Sequence, residues 1–126
     1  GQELQQQAAQ MSSEFSGLAE EYGEQLGQQM EAWSQSLREA LKANPSASSK
    51  DRRTLNEAVT QLEAQQQKLE EADLQALAES TVVAAKTQLQ LGELGEEFAA
   101  YKAEWQQRLA EIESEIERFM QQLKEG

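Results

Sequence analysis

The side chains that build most enzyme sites are missing from this chain of 126 residues, which contains no cysteine, no histidine and one proline. Without cysteine there is no disulfide framework, no thiolate nucleophile and no cysteine-ligated metal or iron–sulfur cluster. Without histidine there is no Ser-His-Asp or Cys-His pair and no histidine-ligated zinc or di-iron site. Glycine-rich phosphate-binding loops are absent as well. We therefore expect a single-domain protein that is not an enzyme and uses no cofactor or metal.

Basic residues are scarce, since Lys plus Arg number 11 against 23 Asp plus Glu, giving a formal net charge of −12. Nucleic-acid binding needs clusters of Lys and Arg, and the only basic doublet is Arg52-Arg53. The same scarcity disfavours an anionic membrane surface. The longest apolar run, residues 82–85, falls far short of the roughly 18 residues that span a bilayer. We expect no nucleic-acid partner and no transmembrane segment in this chain.

The residues that are abundant favour α-helix, because Ala, Glu, Lys, Leu, Arg and Gln make up about two thirds of the chain. Apolar residues recur every three or four positions, which is the spacing of an amphipathic helix. The pattern predicts an all-α fold, an elongated three-helix up-down-up bundle that forms a single domain over residues 1–126. The predicted helices cover about 3–43, 50–91 and 95–124. Their apolar stripes include Leu4, Ala8, Met11, Phe15, Leu26, Met30, Leu37, Leu55, Val59, Leu62, Leu69, Leu77, Phe98, Ile112, Ile116 and Phe119.

Turn signals set the predicted helix boundaries. Pro45 cannot continue a helix, and Ser49 is a candidate N-cap for the helix that follows. Gly92 and Gly95 indicate a second turn before the last helix. A competing interpretation breaks the chain near 72–73, with Asp73 as an N-cap, which leaves a short middle helix and a last helix of about fifty residues. Gly23 and Gly27 fall inside the first helix, where they either let another helix approach closely or are simply tolerated at some cost in helix stability.

The candidate contact residues are aromatic. Trp33, Trp105, Tyr22 and Tyr101 all fall on apolar stripes, which favours a core position for each. Tyr and Trp also offer polar groups to a partner or a ligand, so the alternative is that these four residues contact a partner or line a pocket between helices. The dense glutamate runs lie off the stripes and are interpreted as solvated surface rather than as a paired-carboxylate site.

The predicted function is a non-enzymatic helical interaction or scaffold protein that binds a protein partner and can form a homodimer. One alternative is an extracytoplasmic small-ligand sensor module of the helical-bundle type. A second alternative is an amphipathic protein that binds lipid surfaces, although Lys and Arg beside the apolar stripes are few. The Gln- and Ala-rich composition, the absence of cysteine and a start at Gly1 favour a processed periplasmic or lipid-anchored envelope protein. A cytoplasmic location is the alternative.

Overall fold

A computed structural model describes the backbone of residues 2–71 and 74–125, and side chains from residue 17 onward within those ranges. Helices account for most of that part of the chain, and no strand occurs in it. The elements are α1 (Gln2–Ala43), α2 (Ser49–Glu70), α3 (Leu74–Leu91) and α4 (Ala99–Glu125), with a 3-10 turn at Glu96–Phe98 before α4. The predicted all-α class is confirmed.

Contacts between side chains give the direction of each helix. Gln65 in α2 reaches across to Ala76 and Ser80 in α3, so these two helices form an antiparallel hairpin. α2 packs against α1 and α3, and α4 packs to a similar extent against α1 and α3. The result is an up-down-up-down bundle of four helices, in which α1 lies diagonally opposite α3.

The predicted count of three helices is wrong, because the expected helix over 50–91 is divided between α2 and α3. Neither predicted set of boundaries is fully correct, since the chain turns both after Glu70 and after Leu91. The competing interpretation placed the first of these turns correctly, but its long last helix does not form. Its proposed N-cap, Asp73, lies outside the described residues. Folding α3 back along α2 lets the apolar stripe of each helix be buried by the other.

The turn between α1 and α2 follows the prediction closely. α1 ends at Ala43, just before Pro45. The N-cap of α2 is Ser48 rather than the predicted Ser49, and its hydroxyl oxygen accepts a hydrogen bond from the Asp51 backbone N–H at 3.1 Å. The hydroxyl therefore satisfies one of the backbone donors that a helix start leaves unpaired.

The turn between α3 and α4 is tied to the start of α2. Gly95 donates its backbone N–H to the Asp51 carboxylate at 3.3 Å, and Asp51 is buried. Lys102 in the first turns of α4 donates to the Leu94 carbonyl at 3.2 Å. The glycines predicted to end a helix do so, although α4 begins at Ala99 rather than near residue 95, because the 3-10 turn comes first.

A single apolar core runs through the middle of the bundle. Trp33 and Trp105 are its largest fully buried side chains, and the small residues Ala58 and Ala84 of other helices are fully buried in the same core. The stripe residues Leu4, Ala8, Met11 and Phe15 lie outside the described side chains. Other fully buried members of the core are Leu26, Met30, Leu37, Leu55, Leu62, Phe98 and Ile112.

Candidate interaction surface

The two predicted tryptophans are both fully buried, with 0% of their surface exposed. Trp105 donates its indole N–H to the Ser36 hydroxyl at 3.0 Å, and Ser36 donates in turn to a Glu104 carboxylate oxygen at 3.1 Å. The indole N–H of Trp33 is buried with no acceptor among the described residues. In this conformation neither indole presents surface to a partner.

The two predicted tyrosines lie at the edge of the core, half-buried. Tyr22 packs against Phe119 with ring centroids 5.4 Å apart, and Tyr101 stacks on Trp105 at 5.6 Å. Tyr101 and Trp105 are therefore brought together by α4, whereas Tyr22 packs against another part of that helix. The assignment of these four residues to a partner or a ligand stays a prediction.

A shallow groove between α1 and α2, of about 440 Å³, is lined mainly by Glu and Gln side chains, among them Glu20, Glu24 and Glu31. A Cβ atom on Gly23 in its floor would lie 3.0 Å from the Leu69 carbonyl oxygen. The absence of a side chain there therefore allows α1 to approach the end of α2 closely, which was one of the two interpretations of the glycine spacing. The described residues contain no group of acidic side chains arranged to hold a metal ion.

The outward face of α3 carries an exposed apolar stripe that the sequence analysis did not identify. We call it the α3 stripe and define it as Leu74, Ala78, Val82, Ala85 and Leu89. These residues are three or four positions apart, so they lie in one row along the helix. Leu89 is 76% exposed, Val82 67% and Leu74 45%, and the only other large apolar side chain exposed to this degree in the described chain is Met120.

Few charges surround the α3 stripe, since Glu79 and Lys86 are the only charged residues of α3. Glu79 forms an ion pair with Lys68 of α2 at 3.5 Å, and both side chains remain partly exposed. On its own helix the α3 stripe is therefore accompanied by one acidic and one basic residue, in a protein with a net charge of −12. Such a surface is typical of a site that a partner covers.

No helix in the described part of the chain is long and apolar enough to cross a membrane. Comparison with known proteins adds no relative, since no family model, curated protein or solved structure matches this chain.

Proposed function

We propose that this protein is a non-enzymatic helical interaction module that binds a protein partner through the α3 stripe. The exposure of the α3 stripe is the observation that carries the proposal. Leaving Leu89 and Val82 in water forgoes the stabilisation of roughly 25 cal/mol that each Å² of apolar surface gains on burial. A partner that covers the α3 stripe recovers this free energy.

The rest of the chain supports a binding role rather than catalysis. The largest aromatic side chains stabilise the core, and the chain lacks the cysteine and histidine that nucleophilic sites commonly use. The α1–α2 groove is open to solvent and lined largely by Glu and Gln side chains, whereas sites for small organic ligands are mostly enclosed. An interaction module needs only a rigid scaffold and an exposed surface, and the bundle supplies both.

The test is site-specific photo-crosslinking in the native cell. A photoreactive amino acid replaces Leu89 in the α3 stripe, and a matched variant carries it at Gln106, an exposed position on α4. We expect the variant at residue 89 to form an adduct with another protein chain, with the crosslinked peptide identified by mass spectrometry. Equal labelling at the two positions, or no adduct at residue 89, contradicts the proposal.

For location we propose the bacterial cell envelope, on the basis of the cysteine-free, Gln- and Ala-rich composition. Fractionation of native cells into cytoplasm, periplasm and membranes, followed by quantification of peptides from this chain, tests it. Recovery in the cytoplasmic fraction contradicts the proposed location and leaves the proposed binding surface unaffected.

A further inference from the structure

We infer that the partner covering the α3 stripe is a second copy of this chain, with the two α3 helices packed antiparallel about a two-fold axis near Val82. This inference rests on the proposed function, since both use the same surface. It is carried by the self-complementarity of the α3 stripe in size, position and charge. Isologous two-fold interfaces require such self-complementarity, because the same residues contact each other from both sides.

The order of side chains along the α3 stripe is the same in both directions, namely Leu, Ala, Val, Ala, Leu. With the axis at Val82, Leu74 of one copy lies level with Leu89 of the other, and Ala78 lies level with Ala85. Each pair matches to within one residue, which is about 1.5 Å along a helix. The small alanines on either side of Val82 let the two helix backbones approach closely.

The two charged residues of α3 fit the same arrangement. Glu79 and Lys86 are seven residues apart and therefore lie on the same flank of the α3 stripe. In an antiparallel two-fold pair, equal flanks of the two helices face each other. Glu79 of each copy then lies within one residue of the level of Lys86 of the other, which forms two opposite-charge pairs. In a parallel two-fold pair, the flank of one helix that carries Glu79 and Lys86 faces the other flank of the second helix, which lacks these residues. The ion pairs between the two copies then do not form.

The length of α3 sets the strength of association. Its 18 residues span roughly 27 Å at 1.5 Å per residue. Stable complexes bury roughly 1,200–2,000 Å² in total, and a contact along one helix of this length is at or below the lower limit. We therefore expect a reversible dimer with a dissociation constant of the order of 1–100 µM.

Sedimentation equilibrium on the purified chain, from about 1 µM to about 1 mM, measures this association. We expect the dimer fraction to rise with concentration. Leu89→Glu should weaken association at least about tenfold, because it buries one carboxylate in each of the two apolar contacts between residues 89 and 74. Met120→Glu is the matched control, since Met120 is also exposed but lies on α4, and it should leave the dissociation constant within about twofold of wild type. A wild-type chain that stays monomeric up to about 1 mM overturns the inference.

Disulfide trapping tests whether the two α3 helices are antiparallel. No native cysteine can form a competing disulfide, because the chain has none. Val82→Cys lies on the axis and should crosslink to itself under mild oxidation. Leu89→Cys should not crosslink to itself, since the two copies of residue 89 are roughly 20 Å apart along the helices and a disulfide spans at most about 7 Å between Cα atoms. A mixture of Leu89→Cys and Leu74→Cys should give the mixed dimer. Self-crosslinking of Leu89→Cys indicates a parallel pair and overturns the antiparallel assignment.

Exchanging the charges of residues 79 and 86 tests the proposed ion pairs between Glu79 of one copy and Lys86 of the other. Lys86→Glu should weaken the dimer roughly tenfold, because it replaces two attractive pairs with two repulsive ones. Adding Glu79→Lys to that variant should restore the affinity. The ion pair between Glu79 and Lys68 within one chain is lost in the double variant, so thermal unfolding of the dilute monomer is measured in parallel. Absence of rescue in a folded double variant contradicts the proposed pairing.

The crosslinking in cells and the measurements on purified protein separate the two proposals. An adduct from residue 89 to an unrelated protein, with a monomeric purified chain, overturns the homodimer and keeps the interaction module. An absence of adducts, together with a monomeric chain, overturns both. Binding of the chain to phosphatidylcholine vesicles that Leu89→Glu abolishes, with no dimer in solution, assigns the α3 stripe to a lipid surface and also overturns both.

Discussion

The hydrogen bond between Trp105 and Ser36 gives the sharpest prediction about what stabilises the bundle. Trp105 is fully buried, and its indole N–H has the Ser36 hydroxyl as acceptor at 3.0 Å. Ser36→Ala removes that acceptor and leaves the donor buried in the apolar core. We therefore expect the substitution to lower the free energy of unfolding by about 1–3 kcal/mol, the usual effect of an unpaired buried donor.

Ser34→Ala is the matched control, because Ser34 lies in the same helix and is equally buried, with 3% exposure against 6% for Ser36. The Ser34 hydroxyl donates to the Glu31 carbonyl of its own helix, so its removal leaves no buried donor unpaired. Alanine has the higher helix propensity, which stabilises both variants by up to about 0.5 kcal/mol. The difference in the free energy of unfolding between the two variants therefore measures the cost of leaving the Trp105 indole N–H unpaired.

Urea unfolding followed by far-UV circular dichroism measures both variants. Repeating Ser36→Ala in a Trp105→Phe background should make it nearly neutral, because phenylalanine has no N–H to leave unpaired. Either of two results refutes the reasoning. One is a difference of less than about 0.3 kcal/mol in the free energy of unfolding between Ser36→Ala and Ser34→Ala; the other is a loss of stability from Ser36→Ala that is not reduced in the Trp105→Phe background.

Three further predictions concern individual positions, each measured by urea unfolding. Gly17→Ala should raise the free energy of unfolding by about 0.5–1 kcal/mol, because nothing lies within 4 Å of the added Cβ. Gly23→Ala should show no such gain, since its Cβ would lie 3.0 Å from the Leu69 carbonyl oxygen. Equal gains would contradict the proposed close approach. Ser48→Ala should cost about 1 kcal/mol through loss of the α2 N-cap, and a neutral result would show that the cap is unimportant. Gln65→Ala should cost about 1–2 kcal/mol, because this buried side chain bonds across to α3, and an unchanged stability would mean that the hairpin does not depend on that contact.

The fold class and the first turn could be predicted because their signals are local. Helical composition and a spacing of three to four residues identify amphipathic helices wherever they occur. Pro45 prevents helix continuation for a steric reason that no tertiary contact changes. Gly92 and Gly95 are also strong turn signals, and the chain turns there.

The turn between α2 and α3 was not the favoured prediction, and the spacing of buried residues explains why. Leu55, Leu62, Leu69 and Ala76 are buried at intervals of seven residues, so the periodicity continues across the turn without a change of phase. The chain there contains neither proline nor glycine. The residue that caps the C-terminus of α2, Glu71, has a right-handed conformation, with φ of −80° and ψ of −1°, which any residue can adopt. The α2–α3 hairpin depends on contacts between the helices such as those of Gln65 with α3, which a periodic pattern does not contain.

The candidate contact residues were chosen by chemical type, and type alone does not decide between core and interface. Trp33, Trp105, Tyr22 and Tyr101 all fall on apolar stripes, as predicted, and each side chain packs in the core or against it. Ser36 was not singled out, because the sequence does not show that a hydroxyl 69 positions from Trp105 will accept its N–H. Such pairing follows from the antiparallel register of α1 and α4, which exists only after folding.

α3 shows what an unusual helix in a bundle implies about its surroundings. A helix that packs on one side alone needs one apolar stripe, yet α3 has buried Leu77, Ala84 and Leu91 on one face and exposed Val82 and Leu89 on another. The sequence signal is a segment with only two charges in 18 residues and apolar positions on both faces. Burial inside the bundle explains the first face only, because α2 and α4 already cover it. The second face is the one that the proposed antiparallel pair of α3 helices would cover, and in that pair both the order of large and small side chains and the two charges of α3 would be matched.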